Sequence, residues 1–387
     1  MSPDVFQALR MLGVALAVAP AAYLGIALWV VRRGAAAAAA VAAPPAHRPA
    51  VSVLKPLCGV EAGTYDCLRS FCAQAYPRYE IVFGVQDPAD PALAVAERLV
   101  REFPALPLRI VADRRQHGAN RKVSNLINML GAATHDHLVL ADSDIRVGPR
   151  YLDAVVAPLL EPGVGVVTTA YRAVAQPGLA SWLAATFVND WFYPSVRVAA
   201  AFGSREFAFG ATIALRRDAL EAIGGFEAIA DQLADDYALG EETRRRGLRT
   251  VLAAVEVETV VEERSLRDSL RHLLLWLRTI RAVRPAGYAA SLVTFGVPVA
   301  AIGAVLAGGG PPAAVALGIA ALARLVLHYE VRGRGAPWWD WLALPLGDSL
   351  SLALWCWGFV TRSVRWHGDR YRLAGDGAFQ RYEDSTR

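Results

Sequence analysis

HLVLADSD, residues 137–144, is the stretch that decides how the middle of this chain folds. Leu138 to Ala141 form an apolar run of the length of a buried strand. It stops at two aspartates, Asp142 and Asp144, separated by one serine. In an open α/β sheet, ligands bind beyond the carboxyl ends of the strands. Two carboxylates held this close repel one another and favour a proton or a cation. A hard divalent ion such as Mg²⁺ or Mn²⁺ relieves the repulsion and also takes phosphate oxygens.

The surrounding sequence repeats the pattern. Upstream lie VSVLKPL (51–57), YEIVFGVQD (79–87) and LRIVAD (108–113), all strand-like, interleaved with the helical DPALAVAERLVREF (90–103) and KVSNLINMLGAA (122–133). Downstream come VGVVTTAYR (164–172), FGATIALRRDALEAIGGF (209–226) and LADDYALGEETRRRG (233–247). Strands alternating with helices predict a Rossmann-like α/β domain over 51–262, with a mostly parallel sheet and helices on both faces.

The flanks differ. Hydrophobic residues make up 55% of the 387-residue chain and charged residues 20%, below the roughly 25% of an average soluble protein. The excess is local. Residues 11–31 carry no charge and are followed by Arg32 and Arg33, which predicts a membrane anchor over 1–33. A cleaved signal peptide would have its charges in front. The positive-inside rule then puts the remainder in the cytoplasm, after an Ala/Pro-rich linker at 34–50. Leu266, Leu270, Leu273, Leu277 and Ile280 recur at helical spacing opposite Arg267, Arg271, Arg278 and Arg281. This predicts an amphipathic interfacial helix over 263–286, or else a helix packed on the domain. Apolar stretches at about 288–308, 311–328 and 337–360 predict C-terminal membrane segments over 287–361. Three full spans would put the basic tail (362–387) on the disfavoured side, so one stretch is expected to be re-entrant or interfacial. Arg324, Asp340 and Asp348 within them read as pairs between helices or as snorkelling groups.

Net charge is +4, with Arg far outnumbering Lys. The basic residues beside apolar segments (Arg32, Arg33, Arg278, Arg281, Arg284, Arg362, Arg365) suit an anionic lipid bilayer and not a nucleic acid. The four cysteines have no metal-ligand spacing and imply no disulfide framework.

Two further acidic clusters stand where a site could use them. Asp87, with Asp90 behind it, ends the second strand, and Asp235 and Asp236 open a helix. Either could be an ordinary helix cap. Together with Asp142 and Asp144 they suggest a nucleotide-sugar site. Asp87 would hold the base or ribose, the central pair the metal and diphosphate, and the third cluster would supply a general base for an incoming hydroxyl.

The order KPLCG, VQDPADP, NRKVSNL, DSD, ADDYALG resembles the membrane-bound ceramide glucosyltransferases and their bacterial relatives. FVNDWFYPSVRVAA (187–200) and LRTIRAVRPAGY (277–288) are most similar to the branch that glycosylates hopanoids. The resemblance implies a glycosyltransferase A-type fold, a UDP-sugar donor, inversion at the anomeric carbon and a membrane lipid acceptor. It implies Asp87 near uridine, Asp142 and Asp144 at the metal, and Asp236 as base beside Asp235. Lys55 would lie where the nucleotide loop begins, Lys122 towards phosphate and Trp276 near the acceptor. His272 and Leu275 depart from the family motif around Trp276, and Leu275 stands where an arginine is usual. On this reading the protein moves N-acetylglucosamine from its UDP donor to a hopanoid polyol such as bacteriohopanetetrol, at the cytoplasmic face of a bacterial inner membrane. The alternatives are ceramide glucosylation from UDP-glucose, a processive polysaccharide synthase, and a catalytically silent membrane scaffold.

Overall fold

The computed structural model describes residues 2–39, 47–204, 207–333, 338–360, 363–366, 369–373 and 378–381. Arg362 of the expected basic tail and part of the 34–50 linker lie outside them. In chain order the elements that position the site are helix α1 (Pro3–Ala39), β1 (Val51–Leu57), α2 (Thr64–Cys72), β2 (Tyr79–Val85), α3 (Ala92–Glu102), β3 (Leu108–Ala112), α4 (Arg121–Leu130), β4 (His137–Leu140), β5 (Ile145–Arg146), α5 (Tyr151–Val156), β6 (Val164–Ala175), α6 (Leu179–Phe187), α7 (Tyr193–Ala201), β7 (Ile213–Arg216), α8 (Arg217–Ala222), α9 (Asp235–Arg245), β8 (Arg249–Val261) and α10 (Leu266–Val283).

Eight strands form one sheet in the order β3-β2-β1-β4-β7-β6-β8-β5. The first four are parallel, and β6 is parallel to β8. β7 runs against both β4 and β6, and β5 runs against β8. Every residue of β1 and β2 is buried, as befits strands covered on both faces. Side chains alternate across the sheet. Val53, Ile81, Phe83 and Val139 enter the core on one face. Leu54, Val82, Leu138 and Leu140 enter the core on the other, with α4. α4 starts where the Asn120 side chain accepts the Val123 N–H at 3.1 Å, an N-cap. The expectation of a mostly parallel sheet holds, with an antiparallel middle that the pattern does not reveal. A doubly covered strand is apolar throughout whichever way it runs.

The apolar helices sit beside this domain. α1 and α13 (Pro311–Arg332) are long and apolar enough to cross a membrane. Between them, α11 (Pro285–Ala290) with the short turn after it, and α12 (Gly296–Leu306), form one pair bent by 77°. α14 (Trp338–Gly358) follows α13. Helices α1 and α12 touch through backbone. A Cβ added at Gly303 would lie 2.4 Å from Ala17 N and 2.6 Å from Gly13 O, the small-residue contact that lets membrane helices approach closely. Gly303→Val is therefore expected to destabilise the protein by about 1–3 kcal/mol, read as a lower Tm in detergent. An unchanged Tm would remove this contact as a determinant.

Arg324, 3% exposed, does not snorkel. It pairs with Asp348 at 2.7 Å and with Asp190 at 3.2 Å, and His328 lies 3.0 Å from Asp190. Asp340 takes Arg332 at 2.9 Å and the Trp182 indole N–H. Asp190 and Trp182 belong to the segment after β6, so the network ties α13 and α14 to the sheet domain.

α10 begins at Ser265, whose hydroxyl accepts the Asp268 N–H, and it is amphipathic as expected. Its buried Leu273 and Leu277 pack in one cluster with Trp182, Phe187 and Leu354. The apolar face packs against α6 and α14, the second of the two settings that the sequence pattern left open. Burial against neighbouring helices satisfies the same periodicity as burial in lipid.

Candidate active site

The register sets the site. Leu57 pairs with Val85 and Val85 with Ala112, while Leu54 pairs with Leu140. The segments leaving β1, β2, β3 and β4 therefore emerge along one edge, carrying Cys58, Asp87, Asp113 and Asp142. This is the carboxyl edge at which open α/β sheets bind ligands.

The centre of the site is Lys122. Its ammonium stands 2.7 Å from Asp142 Oδ1 and 3.1 Å from Asp235 Oδ2. Burial disfavours the charged ammonium, yet Asp142 and Asp235 outweigh it and hold the group charged well above the usual lysine range. Asp236 is adjacent. Its Oδ2 accepts the Gly210 N–H at 2.9 Å and its Oδ1 the Tyr237 N–H at 2.7 Å. A Cβ placed on Gly210 would lie 3.1 Å from Asp142 Oδ2, 3.4 Å from Lys122 Nζ and 3.6 Å from Asp236 Oδ2. Chain segments about a hundred residues apart thus meet around one point. Burial and the neighbouring Asp235 push the Asp236 carboxyl up to about 6, against Lys122 and the two backbone donors. A carboxylate tuned in this direction is a competent base near neutral pH.

Asp144 is raised in the same direction by burial and by Asp142, while the Thr259 hydroxyl, donating to Asp144 Oδ2, opposes the shift. Its backbone carbonyl accepts the Val260 N–H at 2.9 Å and the Cys67 thiol at 3.3 Å. Lys55, expected at the nucleotide, is fully buried. Its ammonium donates to the Asp142 backbone carbonyl and lies 3.9 Å from the centre of the Phe71 ring. Burial brings it down to about 8 despite Asp144 and Asp142. Lys55 thus acts on the Asp142–Asp144 turn from beneath. Lys55 and Lys122 are the chain's two lysines, and both contact this turn. Lys55→Met is expected to lower kcat/KM about tenfold or more, because the turn loses a charge-assisted hydrogen bond. A variant with wild-type kinetics would defeat that role.

The remaining expected residues sit further out. Asp87 is exposed and pairs with Arg114 at 3.0 Å. The Ala89 N–H and then Arg114 hold its carboxyl below the usual range. It shares the edge without touching the Lys122 cluster. Asp90 accepts the N–H groups of Gly59 and Ala92, a structural role. Trp276 is half-buried, 4.7 Å from the His272 ring, in a cluster with Tyr171 and Val188. His272 Nδ1 lies 2.9 Å from Glu263.

Three contributors were not legible: Gly210, Thr259 and Tyr171. The Tyr171 hydroxyl is pushed well up by burial and then by Asp236, Asp144 and Asp142, and its ring packs 4.9 Å from Phe192. The segment FAFGAT before β7 carries no motif. Thr259 reads as an ordinary strand residue.

Among the described residues no three His, Cys, Asp or Glu side chains form a metal cluster. Asp142 and Asp144 nonetheless fit an ion of the Mg²⁺ class, which takes one or two carboxylates and fills its shell with waters and substrate phosphates.

The sequence matches the model for Glycosyl transferase family 21 over residues 12–379. The chain belongs to this family. Similar proteins include ceramide glucosyltransferase 3 of Caenorhabditis elegans, 23% identical over 61% of this chain and 52% of that protein. Ceramide glucosyltransferase of Komagataella phaffii is 33% identical over 27% of this chain and 21% of that protein. The family 21 chain thus spans about half the length, or less, of these curated relatives. A mannosyltransferase from Pyrobaculum calidifontis, solved in complex with GDP-Man and Mn²⁺, superposes with a TM-score of 0.51 at 22% identity, covering 91% of this chain and 98% of that one. The likeness identifies a glycosyltransferase A-type fold for this family 21 member.

Proposed function

We propose that this protein is an inverting glycosyltransferase that moves a sugar from a UDP donor to the hydroxyl of a membrane lipid. The observation that carries the reading is the convergence of Asp142, Lys122, Asp235 and Asp236 around Gly210 at the carboxyl edge of the sheet. Asp236 removes the proton of the acceptor hydroxyl as its oxygen attacks the anomeric carbon, and the bond from that carbon to the diphosphate breaks in line. Positioning of both substrates supplies much of the rate. Lys122 offers a cation to the departing diphosphate, and Asp87 stands at the nucleotide end. Asp142 and Asp144 would hold a divalent ion, which when bound neutralises charge on the diphosphate. The apolar helices support a site beside a bilayer, and Arg32 and Arg33 favour a catalytic domain on the cytoplasmic side.

For the acceptor we favour a hopanoid polyol with UDP-N-acetylglucosamine, on the stretches 187–200 and 277–288. Ceramide with UDP-glucose is the second reading, favoured by the ceramide glucosyltransferases among the relatives. Membranes containing the full chain, incubated with labelled UDP-sugars and extracted for mass spectrometry, test both. One sugar added to one lipid is expected, and loss of product on chelation is expected if the ion is required. A polymer would support a processive synthase. Neither lipid product nor UDP-sugar turnover would sink the enzymatic reading and leave the silent scaffold that Leu275 allows.

A further inference from the structure

A cavity of about 730 Å³ opens where the end of β6 meets α6, the end of α13 and the start of α14. Its volume falls within the roughly 300–1,000 Å³ of small-ligand pockets. Leu140 pairs with Ile213 and Ile213 with Thr168, so Ala170–Arg172 run level with Asp142–Asp144. The cavity wall starts at Arg172 and continues through Gly178. It therefore begins at the height of the catalytic carboxylates and leads away from them, at about 3.3 Å per residue, towards the ends of the membrane helices.

Its wall is polar, and its charged groups are ion-paired. Arg172 pairs with Glu256 at 3.1 Å, Arg332 with Asp340 at 2.9 Å and Glu258 with Arg146 at 2.7 Å. Each charged wall residue has an oppositely charged partner, with Glu256 shared by Arg197 at 3.8 Å and Asp340 by His328 at 3.5 Å, so no wall cation stands alone. What remains is hydrogen-bonding capacity and an aromatic corner. The Trp339 ring, 40% exposed, stands 5.5 Å from that of Trp182.

We infer that this cavity holds the uncharged, hydroxyl-rich head of the acceptor lipid, with Trp339 as the surface against which it packs. The inference rests on the lipid-glycosyltransferase reading and specifies the acceptor's chemical class. Compensated ion pairs and a flat indole suit a polyol or sugar, whose many hydroxyls exchange hydrogen bonds with paired side chains and whose C–H faces lie on aromatic rings. A phosphate head would have to compete with the carboxylates that already hold the wall arginines.

The test uses the full-length protein in mixed micelles with bacteriohopanetetrol as acceptor and UDP-N-acetylglucosamine as donor. Trp339→Ala and, separately, Gln176→Ala are compared with the wild type. The expected result is a five-fold or larger rise in KM for the lipid, with KM for the UDP-sugar unchanged and Trp339→Phe largely restored. Wild-type acceptor KM in both alanine variants would overturn the inference while leaving the enzyme reading intact. So would equal competition by a phosphatidylserine micelle lacking polyol lipid, lost in Trp339→Ala. A wild-type protein that transfers sugar to no lipid would overturn the proposed function itself, and is recognised before any variant is made.

Discussion

Asp236→Asn is expected to lower kcat for transfer by about 10²–10⁴-fold, the usual contribution of a positioned base, with donor affinity little changed. The amide is nearly isosteric, and its oxygen can still accept the Gly210 N–H that Asp236 Oδ2 accepts now. What disappears is the capacity to take a proton. The measurement is single-turnover transfer alongside donor binding. Turnover within tenfold of wild type would reassign the base. The wild-type pH profile should show the same group. The carboxyl sits at about 6 because of burial and Asp235, and it must be ionised to act, so the rate falls as pH drops through that value. Asp235→Asn removes the like charge and should move this acidic limb to lower pH.

Lys122→Met should do the reverse, and at greater cost. Lys122 lowers the Asp236 carboxyl, so its removal moves the limb upward and leaves a larger protonated fraction of base at pH 7. Each pH unit of displacement is about a tenfold change in that equilibrium. The variant also leaves Asp142 and Asp235 facing one another without a cation. Stripping one member from a fully buried ion pair costs about 3–5 kcal/mol. Here the lysine side chain keeps 26% exposure, so the loss in stability should fall below that range. Kinetics across pH and thermal unfolding check the two parts separately. A limb that stays in place would show that Lys122 is not coupled to the base.

The sheet domain was largely legible because buried strands are apolar runs and the helices between them keep their period. Strand direction was not, since an apolar run looks the same read from either end, and β7 shows the consequence. The acids were legible as positions. Their company was not. That Asp142 and Asp235 share a lysine, while Asp87 turns to Arg114 and Asp90 to backbone donors, depends on which chain ends the sheet register brings side by side. Lys55 is the clearest case. A lysine near the end of a strand reads as a group reaching for a ligand, and only the packing of Phe71 and the Asp142 turn over it gives it a supporting place. Gly210 left no trace because its role is to be small where three side chains converge. The apolar spacing of α10 was read correctly, but spacing does not say whether lipid or another helix covers it.

The ion pairs around Arg324 bear on how the protein is made. Asp190 precedes Arg324 by 134 residues, so the ribosome delivers the carboxylate well before the guanidinium. An arginine entering hydrocarbon alone costs about 2.5–3.5 kcal/mol at mid-bilayer on translocon scales. If the segment 311–332 crosses a bilayer, its arginine is compensated in two parts, by Asp190 from the earlier segment 179–192 and by Asp348 from the helix that follows. A chain shortened to its C-terminal helices would keep Asp348 but lack Asp190, the second carboxylate on Arg324 and the partner of His328.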